Sequence, residues 1–292
     1  MEEGTKNPQA YHLAGIVPVA GPALDFQFPW HDSMQPIAKN YLAVERSVVE
    51  CAYAGCETIW IICNDDMQPL IKHRLGDYIE DPYYLDKSAF VKHPSQFRRQ
   101  IPIFYAPIHP KDRDRRDSLG WSVVHGALTA FIISDKISKW MIPSRYYVSF
   151  PYGVYQPWEV YKHRKRISNK KPFFVCHNGK TVRDGEYLGF TLDAEEYKTY
   201  VTNVKSNCTG GNKGISPDKR WSSRFFTIDK IFDSDIIDKE MLEVSWYHKI
   251  DSWEAYHNYM SSEESRFIKC PGKSLLKRTE YNSKVEYENE NI

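Results

Sequence analysis

The chain is missing several features that would assign it directly. No stretch approaches the roughly 20 consecutive apolar residues that cross a bilayer. The opening Met1-Glu2-Glu3-Gly4-Thr5-Lys6 is acidic and polar where a secretory signal is basic and then apolar. Charge of one sign is also lacking: the formal net charge is +1, which argues neither for nor against a strongly charged partner. The cysteines, Cys51, Cys56, Cys63, Cys176, Cys208 and Cys270, are scattered without a Cys-x-x-Cys pair, so they read as reduced, mostly buried thiols and not as a zinc or disulfide framework. There is no Gly-x-x-x-x-Gly-Lys loop, no Gly-x-Ser-x-Gly elbow and no His-Glu-x-x-His pair, which sets aside the enzymes built on those motifs. A soluble, cytoplasmic protein with no membrane partner is expected.

What is present begins with aromatic residues, 14% of the chain, including 20 Tyr and 8 Trp. This excess suits a Tyr-rich core and rim, or a surface that stacks sugars, bases or partners. A length of 292 residues buries a substantial core.

The ordering of patterns is more telling. Gly15 to Gly21 reads as a strand running into a polar loop, and Ile37, Tyr41, Val44, Val48 and Cys51 recur at three- and four-residue steps, predicting a helix from Ile37 to near Gly55. Thr58 to Cys63 is a continuous apolar run, as expected of a parallel strand covered on both faces. A helix from Met67 to Tyr78, an irregular aromatic stretch over 81–100 and a strand Ile101 to Ala106 follow. A charged loop, His109 to Asp117, leads to a helix opened by Gly120 and running to Ser134, then to a strand Arg145 to Phe150. Alternation of this kind predicts an α/β fold of three layers around a mostly parallel sheet. After Pro157 the pattern changes. Asn178-Gly179 and Asp184-Gly185 are strong hairpin signals and predict an antiparallel insertion over about 172–230. A mobile loop is expected over Ser206 to Asp218, a strand over Leu242 to Tyr247, and a helix capped by Ser252 and reaching Met260. The expected organisation is a flexible terminus over 1–11, a single domain over 12–272 and a polar tail over 273–292.

In order and landmarks these segments resemble the nucleotidyltransferases of the nucleotide-sugar pyrophosphorylase type, which share a GT-A-like, Rossmann-like fold with many glycosyltransferases. Gly15 to Gly21 resembles that family's first strand entering its glycine-rich loop. Gln35-Pro36-Ile37 with Val44-Glu45-Arg46-Ser47-Val48 resembles its leucine-proline-valine turn and following helix, and Gly55 to Ile62 its second strand. Ser118-Leu119-Gly120-Trp121 through Leu128 is similar to the helix start that approaches base and sugar. Trp246 to Tyr256, with Asp251-Ser252-Trp253-Glu254 inside it, is similar to a late aspartate-containing element. The resemblance covers most of residues 12–260 and rests on order and spacing.

It implies transfer of a nucleotidyl group from a nucleoside triphosphate to a sugar phosphate. The alternatives on the same fold are glycosyl transfer from a nucleotide-sugar donor, and a non-catalytic protein that binds a nucleotide sugar or serves as an interaction or structural protein. Nucleotide contacts would fall at Ala20, Gly21, Asp65, Asp66, Gly120 and Trp121, catalytic groups at Lys39, His31 and Asp251, and Mg²⁺ at Asp251. The chain departs from the family at two places. The loop Gly21 to Ser33 contains no lysine or arginine, and Tyr152 stands where the first metal aspartate is expected, which leaves one carboxylate for Mg²⁺.

Each candidate also has a plainer role. Asp65-Asp66 suits a ribose, base or metal contact, or the N-cap of the next helix. His31 with Asp32 suits acid-base work or an exposed turn. Asp251 suits a metal or a helix entry, and His125 a ligand or a structural contact. The run Lys162-His163-Arg164-Lys165-Arg166 with Lys170-Lys171 suits a polyanionic acceptor or nucleic acid, or a solvated loop.

Overall fold

The computed structural model describes residues 12–21, 30–88, 99–113, 118–207, 227–232, 239–272 and 275–276. The expectations for 1–11, for most of the loop after the first strand and for the loop over 206–218 fall largely or wholly outside the described residues.

The first half of the chain runs through β1 (Leu13–Pro18), β2 (Pro36–Ala38), β3 (Tyr41–Leu42), α1 (Ala43–Ala54), β4 (Thr58–Cys63), α2 (Gln68–Leu75), β5 (Tyr78–Glu80), α3 (Pro82–Ser88) and β6 (Gln100–Pro107). After α4 (Pro110–Arg113) come the long α5 (Leu119–Ile137), β7 (Arg145–Val148), β8 (Gly153–Val154), α6 (Trp158–Tyr161) and α7 (Arg164–Ile167). The last part supplies β9 (Phe173–Cys176), β10 (Phe190–Leu192), α8 (Ala194–Asn207), β11 (Glu240–Glu243), β12 (His248–Lys249) and α9 (Trp253–Ser261).

Eight strands form one sheet in the order β11-β9-β10-β7-β1-β4-β6-β5. Strands β1, β4, β6 and β7 are mutually parallel, β9 and β11 run the same way, and only β10 and β5 oppose them. This is the expected mostly parallel sheet. Strand β1 shows why it has three layers. Leu13 and Val17 pack in one buried cluster with α1, whereas Ala14 and Ile16 pack in a second with Val123, Val124 and Ala127 of α5. Successive side chains of a strand point to opposite faces, so an unbroken apolar run needs a helical layer on each side.

Several expectations are corrected. The helix foreseen from Ile37 begins only at Ala43, because Ile37 and Tyr41 belong to the β2–β3 hairpin, turned at Asn40 with φ 58. The Glu45 side chain accepts from the Leu42 N–H at 2.8 Å, which fixes the start of α1. The helix foreseen from Met67 to Tyr78 ends at Leu75, and Tyr78–Glu80 is instead an edge strand. Residues foreseen as irregular after Asp81 include the short α3.

The antiparallel region is confirmed in part. Asn178 and Gly179, at φ 51 and 74, form the foreseen tight turn, closed by pairing of His177 with Lys180. Asp184-Gly185 is not a hairpin turn. Thr181 and Asp184 cap one another around a 3-10 turn, so Lys180 to Arg183 does not continue as a strand. Strand β10 lies within the central sheet between β7 and β9. Beyond α9, Leu275 and Leu276 are buried, and the Leu275 carbonyl accepts from the Glu80 N–H at 3.1 Å. Among the described residues no helix is long and apolar enough to cross a membrane.

Candidate functional site

The parallel strands β1, β4 and β7 lie side by side, so the segments leaving their C-terminal ends share one edge, the edge at which open α/β sheets hold ligands. After β1 the backbone turns sharply. The N–H groups of Val19 and Ala20 both donate to the Ile62 carbonyl at 2.9 Å, and the Ala20 carbonyl accepts from the Ser122 hydroxyl at 2.5 Å. Gly21 has φ 85 and lies so close to α5 that a Cβ there would sit 2.7 Å from the Ser118 carbonyl carbon. Ser118 caps α5 by accepting from the Trp121 N–H at 3.2 Å. Ala20, Gly21, Gly120 and Trp121 are thus brought together where the positive end of a long helix adjoins the loop. Ala20 arrives there with both of its own backbone polar groups already paired. Residues 22–29 of the loop lie outside the described residues.

The chain returns at His31. The Ser33 N–H donates to His31 Nδ1 at 3.2 Å, which makes Nδ1 an acceptor and leaves the ring proton on Nε2. Burial lowers the pKa of His31, and the neighbouring Asp66 opposes that in part. Burial raises Asp32 to about 6, and Asp32 in turn lies close enough to Tyr152 to disfavour its ionisation. Asp65 and Asp66 are exposed at the end of β4. Asp66 accepts from the Met67 N–H at 3.0 Å, while the cap of α2 is Met67 itself, with no side-chain cap bond. Both carboxylates add to burial in pushing the Cys63 thiol up to about 12, which makes that cysteine inert. His31, Asp32, Asp65 and Asp66 therefore belong to one edge with the β1 loop.

The place of the expected metal is built differently. The Ile250 N–H donates to the Tyr152 carbonyl at 2.8 Å, so Tyr152 and Asp251 are neighbours. Tyr152 is fully buried and its hydroxyl donates to the Val19 carbonyl at 3.1 Å. Burial, with Asp32 second, raises its pKa well above the usual phenol value, so it stays neutral. Asp251 Oδ2 lies 3.1 Å from Lys249 Nζ. Lys249 also stands 5.1 Å from the centre of the Tyr187 ring, and that ring packs edge-on against Tyr152 at 5.7 Å. Among the described residues no group of three or more His, Cys, Asp or Glu could hold a metal ion. A neutral, internally bonded phenol beside a carboxylate already paired to an ammonium does not fit Mg²⁺.

Other candidates lie elsewhere. Lys39 is exposed in the β2–β3 turn, not on a helix, and no hydrogen bond or ion pair joins it to another described residue. His125 Nε2 lies 3.0 Å from the Pro107 carbonyl at the end of β6, a structural tie. The basic run is on the opposite edge of the sheet. Arg164 approaches Gly55, which precedes β4, and forms two 2.8 Å bonds to Asp81, while Arg145 at the start of β7 donates to the Asn169 and Lys171 carbonyls at 2.6 Å. Arg166 is held by Glu240 at 2.5 Å. These contacts do not support a polyanion or nucleic-acid partner through 162–171.

Residues not singled out beforehand also shape the site. Lys249 stands two positions before Asp251, a spacing that in extended chain places side chains on one side. That signal was readable. Tyr187 carried none, since it reaches the site only through the entry of β10 into the central sheet. The buried pair Arg46–Glu50 fixes the backbone below: Arg46 donates to the Phe150 carbonyl at 2.9 Å, two residues before Tyr152.

No protein-family model matches the chain, and no curated protein does. Solved structures do. The fold resembles that of a protein from Bacillus anthracis assigned as a glucose-1-phosphate thymidylyltransferase and solved with sucrose, at a TM-score of 0.53 and 9% identity, covering 91% of this chain and 99% of that one. It also resembles an apo UDP-glucose pyrophosphorylase at a TM-score of 0.51 and 12% identity, covering 88% of this chain and all of that one (100%). The chain has the fold of the sugar nucleotidyltransferases.

Proposed function

We propose that this protein binds a nucleotide sugar in the crevice at the C-terminal edge of its sheet, on a frame whose reaction class is nucleotidyl transfer between a nucleoside triphosphate and a sugar phosphate. The observation that carries this proposal is the convergence of Ala20, Gly21, Gly120 and Trp121 at the start of α5, at the edge where a sheet of this kind takes its ligand. In this proposal the first turn of α5 meets the phosphates, Trp121 and Gly120 border the base, and Asp65 and Asp66 accept from ribose hydroxyls. His31, with its proton on Nε2, is a hydrogen-bond donor to a phosphate or sugar oxygen. Lys39 is exposed in the β2–β3 turn.

Nucleotidyl transfer would require attack of a sugar-phosphate oxygen on the α-phosphorus with departure of pyrophosphate, and charge would build on oxygens that fixed cations must stabilise. The β1 loop supplies none, and the Tyr152 and Asp251 positions do not form a Mg²⁺ site. A binding protein that has lost or altered the transfer step is the reading these substitutions favour.

Thermal-shift measurements with nucleoside triphosphates and with UDP-glucose or dTDP-glucose, with and without Mg²⁺, test the proposal, together with an assay for pyrophosphate release. Stabilisation by an intact nucleotide sugar is the expected result. Stabilisation by a triphosphate only with Mg²⁺, with pyrophosphate released, would restore the transferase reading. Transfer of the sugar to an acceptor would move the protein to glycosyl transfer. No response to any nucleotide would overturn the proposal.

A further inference from the structure

The site has a cation after all, and it is part of the chain. Lys249 lies on β12 in register with Gly153 of β8, just beyond Tyr152, and its ammonium is 3.1 Å from Asp251 Oδ2 and 5.1 Å from the Tyr187 ring centre. Its side chain is 36% exposed, so the pair with Asp251 is partly open to solvent. One of its three N–H donors faces Asp251, and among the described residues no further hydrogen bond or ion pair takes the others. From Lys249 a run of packed aromatic contacts leads through Tyr187 to Tyr152, and from the Tyr152 hydroxyl to the Val19 carbonyl at 3.1 Å, next to Ala20 and Gly21. Two packed aromatic rings thereby join the cation to the segment that leaves β1.

We propose that Lys249 is a built-in replacement for a divalent metal, so that the protein takes the diphosphate of its ligand without Mg²⁺. The inference rests on the nucleotide-sugar proposal above for the identity of the ligand, but its chemistry is that of any diphosphate. A Mg²⁺ ion seeking Asp251 would have to displace the ammonium from that carboxylate and then remain beside it, two like charges in one site. It would also find no second carboxylate from Tyr152, whose hydroxyl is turned to the Val19 carbonyl. An ammonium is a compact point charge and a good phosphate partner in such a setting. Asp251 then acts as a positioning residue that holds Lys249 in place, and it has an electrostatic cost of its own, since a carboxylate beside the ligand repels phosphate.

The test is isothermal titration of the full chain with UDP-glucose, dTDP-glucose and inorganic pyrophosphate, each in EDTA and in Mg²⁺, for wild type and for Lys249→Met, Lys249→Arg and Asp251→Asn. Binding in EDTA should be as tight as in Mg²⁺. Lys249→Met should weaken it about tenfold or more, the scale of one charge-assisted hydrogen bond, and Lys249→Arg should recover most of that loss. Asp251→Asn should tighten metal-free binding, the opposite of what removing a metal ligand does. Binding that appears only with Mg²⁺ and vanishes in Asp251→Asn would overturn the inference and leave the nucleotide-sugar proposal standing. Pyrophosphate binding in EDTA that depends on Lys249, without binding of either nucleotide sugar, would keep the inference and remove that proposal. Failure of all three probes to bind would overturn both. If Lys249→Met fails to fold, the direction of the Asp251→Asn change decides.

Discussion

Arg46 and Glu50, one turn apart on α1, form an ion pair at 2.9 Å with both side chains fully buried. Glu50 also accepts from the hydroxyls of Tyr147 at 2.6 Å and Ser149 at 2.7 Å, and from that of Tyr155. This network joins α1 to β7 and to the chain leaving it, which carries Tyr152 to the site. Glu50→Ala should destabilise the protein by about 3–5 kcal/mol, because it strands a buried guanidinium and several hydroxyls at once. Urea unfolding measures this. Replacing Arg46 and Glu50 together with apolar residues should cost less than the two single losses added, since neither charge is then left unpaired.

How far the sequence disclosed this molecule follows from the range of its interactions. The alternation of apolar runs with 3.6-residue periodicity is local, and it foretold β1, β4, β6, β7 and α5, while the Ser252 cap foretold α9. The β2–β3 hairpin was missed because Ile37 and Tyr41 are four residues apart, a spacing that satisfies a helix as well as a short turn at Asn40. The entry of β10 into the main sheet is a long-range pairing that no local pattern records. In the site, the loop's lack of cations and the Tyr152 substitution were visible directly. The Lys249–Asp251 pairing was visible only as a spacing of two, and Tyr187 beside it depends on tertiary packing.

The pH dependence of stability should carry opposed contributions from His31 and Asp32. Asp32 is raised from its ordinary 3.8 to about 6 in the folded protein, so the fold holds that proton more tightly than the unfolded chain does. Its contribution is fully present below the ordinary value and is lost as pH rises through about 6. His31 is lowered from 6.5, so its contribution is present above that value and is lost as pH falls through the folded pKa. Asp32→Asn should therefore gain stability relative to wild type as pH rises from 4 to 7, and His31→Gln as pH falls from 7 to 5. Thermal unfolding across that range checks both, and equal profiles for wild type and variants would refute the assignment.

Gly21 is where backbone geometry most constrains the site. At φ 85 an alanine is strained in any surroundings, and here its Cβ would also meet the Ser118 backbone at 2.7–2.8 Å. Gly21→Ala should cost about 1 kcal/mol or more in stability and should weaken nucleotide-sugar binding by lifting the loop from α5. A variant that binds UDP-glucose or dTDP-glucose like wild type would show that the loop does not need this approach.

The basic segment offers a last discrimination, because its charges divide by what they touch. Arg164 makes a two-pronged bond to Asp81, which is 1% exposed, whereas Lys162 and Lys165 make no described ion pair. Were the segment a polyanion-binding surface, removing any of the three cations would weaken binding with little effect on the fold. With Arg164 as an internal brace, Arg164→Ala instead leaves a buried carboxylate unpaired and should cost about 3 kcal/mol, while Lys162→Ala and Lys165→Ala should stay within about 0.5 kcal/mol of wild type. None of the three should change nucleotide-sugar affinity in the folded protein, since the segment sits at the N-terminal edge of the sheet and the proposed ligand crevice at the other. Chemical denaturation and titration calorimetry on the same three variants measure both halves of this expectation.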